Sequence, residues 1–275
     1  MAIIRRLHNS LQFRLTGVPI LEEHVIAGKR LISRRGTIRL SPDKDDAWLY
    51  ALAQRSRCVL DIGSNIGQAA ILILLSDTVE KIVLVDPNPN ALSIAAENVI
   101  RNAGPRIASF VCAFASDVSG GSQDFWTVGL GAAGSMYATH AKTAARKGSH
   151  YCVPTITVDE IVYRLGLEPD LVKVDVEGAE AKVLHGAAKL AQAQNCRFFV
   201  EMHSSNELPM TENARTLMGW CDSVGYTAWY LKEHAVLASP DQIAHRGRCH
   251  LILQPSGWEY PDWLKAIEES AAVLW

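Results

Sequence analysis

The chain has 275 residues, 48% hydrophobic and 20% charged, a globular composition that is neither disordered nor fibrous and has length enough for one large domain or two small ones. Its formal charge of −2 hides an asymmetry, since residues 1–40 carry eight Lys/Arg against two acids while the remainder has 19 bases and 27 acids. The total excludes a strongly basic nucleic-acid binder, and no apolar run approaches the ~18–20 residues that span a bilayer.

The opening Met1-Ala-Ile-Ile-Arg-Arg-Leu-His8 has neither an apolar h-region nor a small-residue cleavage site, so no secretory signal is read and a cytoplasmic location is expected. Residues 1–57 read as a basic leader with one helix near 43–55, capped by Ser41 with Pro42 in the first turn, that packs on a single domain spanning 58–275. From Cys58 onward strands near 58–62, 81–86, 108–112, 171–176, 197–202, 227–231 and 249–254 alternate with helices near 67–76, 89–102, 157–165, 178–192 and 211–223. That alternation predicts an α/β fold with a doubly wound, mostly parallel seven-stranded sheet. Residues 118–156 interrupt it as an inserted β-hairpin, about 122–128 with 151–156, around a Gly/Ala-rich lid at 129–137 and a basic run from His140 to His150. The six cysteines at 58, 112, 152, 196, 221 and 249 never form a C-x-x-C pair and read as reduced thiols, mostly in the core.

The sharpest local feature is Val59-Leu-Asp-Ile-Gly-Ser-Asn-Ile-Gly67, a strand entering a glycine-bearing turn and then a helix. Such a turn brings backbone close to a ligand and offers it the unpaired N–H groups of a helix start. The next strand ends in Asp86, where a doubly wound fold puts the carboxylate that binds both ribose hydroxyls of an adenosine cofactor. A dinucleotide loop is G-x-G-x-x-G, whereas here Asn65 stands at the middle glycine and no glycine follows at the third. An adenosine ligand without pyrophosphate fits better, with S-adenosyl-L-methionine the common one.

Two further strand ends carry charge. On 171–176, Lys173, Asp175 and Glu177 share one face, with Lys173 open to a structural ion pair and Asp175 at the end beside the cofactor crevice. On 197–203, Glu201 and His203 share one face in the same way, and in neighbouring strands the three would converge. They read as a general acid/base set, with His203 as base and Asp175 or Glu201 orienting it. The same donors suit a divalent ion, but no H-x-x-x-H or comparable spacing supports one and no metal is expected.

With these motifs the sequence resembles the FkbM-type methyltransferases, of the Rossmann-like class that uses S-adenosyl-L-methionine. The resemblance runs from about Val59 to His203 and rests on Leu60–Gly67, Val85-Asp-Pro-Asn-Pro89 with Asn98 and Asn102 after it, Thr157-Val-Asp-Glu160, Asp170–Glu180, Val183-Leu-His-Gly-Ala187 and Glu201-Met-His203. It implies that Asp61, Gly63, Ser64, Asn65 and Gly67 line the methionine end of the cofactor. It also implies that Asp86, with Pro87 and Asn88, holds the ribose, that Ala113 and Phe114, with Asp117 beyond, border the adenine, and that Asp175 faces the methyl group. The implied reaction is O-methylation of a hydroxyl on a small molecule, natural product or glycan. Transfer to nitrogen or carboxylate is the alternative within the fold. A nicotinamide-dependent oxidoreductase or a non-catalytic cofactor-binding module are the alternatives outside it. The leader's charge suits an anionic partner, a packing role over the pocket or a homodimer contact.

Overall fold

The structure, a computed structural model, describes residues 18–39, 41, 43–127, 146, 148–204 and 208–273. The lid at 129–137, most of the basic run, Pro42 and residues 1–17 of the leader lie outside the described residues. The first half of the chain contains β1 (Leu21–Ile26), β2 (Lys29–Arg34), α1 (Asp46–Ala53), β3 (Cys58–Ile62), α2 (Gln68–Leu74), β4 (Lys81–Val85), α3 (Pro89–Asn102), β5 (Ile107–Val111), β6 (Phe114–Ala115) and β7 (Ser122–Trp126). It continues with β8 (His150–Ile156), α4 (Val158–Leu165), β9 (Leu171–Val174), α5 (Glu180–His185), α6 (Ala188–Gln192), β10 (Arg197–Met202), α7 (Met210–Val224), β11 (Tyr226–Tyr230), β12 (Ala235–Val236), α8 (Pro240–Arg246), β13 (Cys249–Pro255) and α9 (Asp262–Lys265).

One sheet runs in the order β12-β11-β13-β10-β9-β3-β4-β5. Strands β10, β9, β3, β4 and β5 are parallel, and β13 lies antiparallel between β10 and β11. The expected seven strands are all present, and the two-residue β12 adds an eighth at the edge. Because β3, β9 and β10 carry apolar side chains of both parities, they bury both faces. Leu60, Val172, Val174, Phe198 and Val200 meet α4 to α8 on one side, while Val59, Leu171 and Phe199 share a core with α1, α2 and α3 on the other. The chain leaves β3 toward β4 and β5 and later returns to β9 on the other flank of β3, so the carboxyl ends of β3 and β9 form the crevice at which open α/β sheets bind ligands.

The departures from expectation have local causes. The predicted helix at 178–192 is two helices, because the Gly186 carbonyl accepts the Asp159 N–H (2.8 Å) and the Asp159 carboxylate accepts the N–H groups of Lys189 and Leu190 that open α6. Helix α1 begins at Asp46 after Asp45 rather than at Ser41–Pro42. The leader contains a hairpin that its composition did not suggest. Ala27 and Gly28, both at positive φ (50° and 74°), turn β1 into β2. Asn98 of α3 accepts the Arg34 N–H (2.8 Å) and donates to Thr37 Oγ1 (3.0 Å), and Asn102 exchanges two hydrogen bonds with the Ile32 backbone. The expected insertion is present, with β7 antiparallel to β8 from Ser122↔Pro154 to Trp126↔His150 and β6 added beside β8. Of the six thiols, all free, Cys112 and Cys152 are exposed and the other four are core.

Candidate active site

Gly63 ends β3 at φ +81°, and a Cβ there would lie 1.8 Å from the Asp175 carbonyl oxygen. Only a residue without a side chain lets the loop after β3 meet the loop after β9. The N–H groups of Gly63 and Ser64 return to the Val85 carbonyl (2.9 and 3.2 Å), which ties the glycine loop to the end of β4. There the Asp86 carboxylate accepts the Asn65 N–H at one oxygen and the Asn88 N–H at the other, each at 2.8 Å. Burial raises this carboxyl to about 6, against the pull of those two backbone donors. Asn88 then caps α3 through the N–H groups of Asn90 and Ala91.

Two clefts open from this junction. The first, about 670 Å³, is lined by Gly63, Asn65, Asp86, Pro87, Asn88, Ala113, Phe114, Phe125, Val176, Asp175 and Glu177 among others. It joins an acid with two backbone-anchored oxygens to two phenylalanines, a combination suited to a ribose beside a planar base. The second cleft, about 1100 Å³, is charged. Arg39, Asp43, Lys44, Asp45, Asp46, Lys173, Glu201, Arg248 and His250 line it with Ser64, and Leu49 and Ala69 are its apolar side chains. Gly63, Asn65 and Asp175 belong to both clefts.

Two glycine-loop residues stand apart from these walls. Asp61 is fully buried, 3.3 Å from Lys173 Nζ, and lines neither cleft. Burial pushes its carboxyl up, and Lys173 offsets part of that. Lys173 also reaches Asp175 Oδ2 at 3.3 Å. Burial alone would lower its ammonium, but Asp175 and Asp61 hold it above the ordinary lysine range, so this is a structural ion pair that spans β3 and β9. At Gly67 (φ +90°) a Cβ would meet Ala95 at 3.0 Å, so this glycine lets α2 pack against α3 and lines neither cleft. Asp117 likewise lines neither cleft and accepts the Ser116 hydroxyl.

Beyond Asp175 the side chains of β10 and its neighbours converge. His203 Nε2 lies 3.7 Å from Glu177 Oε2 and 3.9 Å from both Asp175 Oδ1 and Glu201 Oε1. Its Nδ1–H donates to Glu180 Oε1 at 2.8 Å, and Glu180 is itself held by the Gly178 N–H and by Asn213 Nδ2, both at 2.9 Å. Burial would lower the His203 pKa, but Glu180, Glu177 and Asp175 outweigh it and push it up to about 9. Read from sequence as a base, His203 therefore holds a proton at neutral pH while nothing else neutralises these acids. Burial opposes ionisation of Glu201, yet His250, whose Nε2 lies 3.5 Å away, and the Arg248 guanidinium hydrogen-bonded to it hold its carboxyl well below the usual range. Glu201 serves those two groups before it can orient His203.

Sequence reasoning brought Asp175, Glu201 and His203 together and missed Glu180, Asn213, Arg248 and His250. Glu177 carried a signal in its shared parity with Asp175. Glu180 closes the Asp170–Glu180 motif but carried no hint of its role, and Asn213, Arg248 and His250 gave no signal, because α7 and the start of the antiparallel β13 reach the cluster only through tertiary packing.

Residues 61–227 match the Methyltransferase FkbM domain family. The chain is 31% identical over 153 residues to the hexuronic acid methyltransferase AglP of Haloferax volcanii, a match over 55% of this chain and 58% of that protein. Among solved structures it is similar to the methyltransferase FkbM from Methylobacillus flagellatus, at 13% identity and TM-score 0.45, covering 72% of this chain and 43% of that one. It is also similar to an O-methyltransferase from Bacillus cereus solved with SAH, at 15% identity and TM-score 0.46, covering 78% and 81%. The chain thus spans less than two thirds of the AglP and Methylobacillus proteins.

Proposed function

The chain belongs to the FkbM methyltransferase family, and from that premise we propose that it binds S-adenosyl-L-methionine in the first cleft and methylates a hydroxyl of a sugar or related polar small molecule held in the second. The observation that carries the reading is the shared wall, since Gly63, Asn65 and Asp175 line both clefts and so bring a donor in one beside an acceptor in the other. When bound, S-adenosyl-L-methionine supplies an electrophilic methyl group on a sulfonium. Asp86 would accept both ribose hydroxyls on oxygens already aimed by the Asn65 and Asn88 N–H groups, and Phe114 and Phe125 would flank the base. No dinucleotide glycines are needed, because this ligand has no pyrophosphate.

Holding donor and acceptor in line at attack distance accounts for much of the rate of such a displacement. The acceptor hydroxyl also has to lose its proton, and the carboxylates of Asp175 and Glu177 with His203 form the group that takes it. A polar second cleft suits a hydroxyl-rich acceptor better than an apolar one.

A second reading, methylation of a carboxylate, is favoured by the hexuronic acid named for the Haloferax relative and by Arg39, Lys44 and Arg248 in the acceptor cleft. Transfer of isotopically labelled methyl to uronic-acid oligosaccharides tests both. Label that survives mild alkali is an ether and supports the first reading, label released by alkali is an ester and supports the second, and no transfer to these or to other hydroxylated acceptors contradicts both.

A further inference from the structure

We propose that Asp175, Glu177 and His203 form a binding site for one divalent cation, reached through Asp175, which lines both clefts, and Glu177, which lines the first, with His203 buried behind them. One ligand atom from each of the three lies within 4.8 Å of the others. From His203 Nε2 the carboxylate oxygens stand at 3.7 and 3.9 Å, too far for a hydrogen bond and less than twice the ~2.0–2.2 Å bond of an imidazole or carboxylate to such an ion. The cluster is more than a gathering of acids, because His203 is 5% exposed and its Nε2 is buried without a hydrogen-bond partner. In a native protein an orphaned buried nitrogen of this kind points to a bound ion or water.

The surroundings are built for a ligand. Glu180 accepts the Nδ1 proton of His203, so that an ion which displaces the second proton meets the Nε2 lone pair aimed at the two carboxylates. This carboxylate–histidine–metal arrangement fixes both the tautomer and the ring plane. Glu180 is fully buried and anchored in turn by Gly178 and Asn213, and Asn213 also donates to the His203 carbonyl. Glu177 adopts φ +51°, a left-handed conformation that a non-glycine residue holds only where its surroundings require it. Glu201, at 3.9 Å, is committed to Arg248 and bounds the site without being counted as a ligand.

Three protein ligands leave coordination positions open. On the methyl-transfer reading above, the open face would receive the acceptor oxygen beside Asp175, where the ion would orient it and ease the loss of its proton to solvent, in place of proton transfer to the three side chains themselves. The site itself rests on geometry alone, and its role rests on that reading.

The test uses full-length protein stripped with EDTA, desalted and titrated with Mn²⁺ by electron paramagnetic resonance, with S-adenosylhomocysteine titrated into the same preparation by calorimetry. One saturable Mn²⁺ per chain is expected, with affinity at least ~10-fold weaker in Glu177→Gln and in His203→Gln, and comparably weaker in Glu180→Gln. The Glu177 side chain is 32% exposed, so its glutamine variant should keep the fold, and a thermal melt checks it. Absence of saturable Mn²⁺ binding, or binding unchanged in both ligand variants, overturns the site. Mn²⁺ binding of the expected kind without S-adenosylhomocysteine binding would uphold the site and remove the methyl-transfer reading.

Discussion

Replacing Asp86 with asparagine separates a ligand-binding acid from a loop staple, because the structure sets a small change in stability against a large loss of affinity. Burial lifts the carboxyl from 3.8 to about 6. At pH 7 the folded protein therefore carries this charge at a cost of about 3 kcal/mol relative to an exposed carboxylate, which an amide removes. Against that gain, asparagine has one carbonyl oxygen where aspartate has two, so either the Asn65 or the Asn88 N–H loses its acceptor, at about 1–3 kcal/mol. The two nearly cancel, and the melting temperature of the free protein should move by only a few degrees. The cofactor has no such compensation. It loses one hydroxyl acceptor and the charge behind the other, about 2–4 kcal/mol, which is on the order of 30-fold or more in dissociation constant. Calorimetric titration with S-adenosylhomocysteine, run beside a thermal melt, reads both quantities. A variant that binds within threefold of the parent, or one that melts more than about 10 °C lower, would refute the reasoning.

Other consequences are equally direct. Cofactor affinity should fall roughly tenfold between pH 7 and pH 5 as Asp86 takes up its proton near 6, with buried Asp61 and Lys173 the charged groups that act on it. Over about pH 4 to 6 that same raised carboxyl makes the free protein less stable as pH rises, so affinity and stability should run in opposite directions when each is followed against pH. Gly63→Ala should abolish cofactor binding or folding, since its Cβ would overlap the Asp175 carbonyl at 1.8 Å in a left-handed conformation, and a well-folded variant with full affinity would contradict the close contact between the two loops. His203→Ala should lower turnover while leaving S-adenosylhomocysteine affinity nearly unchanged, and equal loss of both would remove it from the transfer step. Asn98→Ala should destabilise the protein by about 2–4 kcal/mol and expose the 21–34 hairpin to protease, because this buried side chain makes one hydrogen bond to the Arg34 backbone and one to Thr37.

How much of this was legible in the sequence depended on whether the cause was local. The β3, β4, β9 and β10 runs announced themselves because β-branched and aromatic residues fill both faces of a central parallel strand. Asp175, Glu201 and His203 were legible for the converse reason, being charges that such strands do not otherwise carry. The same rule could not say which way Asp61 points, since a strand buried on both faces has no solvent side, and the structure turns it to Lys173 rather than to a cleft. The break at Gly186 depends on Asp159, a residue distant along the chain that takes over the first turn of α6. Several motif residues that marked the family are in fact staples, with Asn98 and Asn102 fastening β2, Asp159 capping α6, and Asp170 accepting the Arg57 and Cys58 N–H groups. The opening charge asymmetry is partly absorbed in the same way, as Arg30, Arg35 and Arg39 pair with Glu23, Glu22 and Asp46. Among the described residues no helix is long and apolar enough to cross a membrane.

The most direct test of the central claim is a calorimetric comparison of S-adenosyl-L-methionine and NAD on the same protein. The cleft at Gly63, Asp86 and Phe114 predicts micromolar binding of S-adenosyl-L-methionine and no heat with NAD. Binding of NAD with none of S-adenosyl-L-methionine would contradict it.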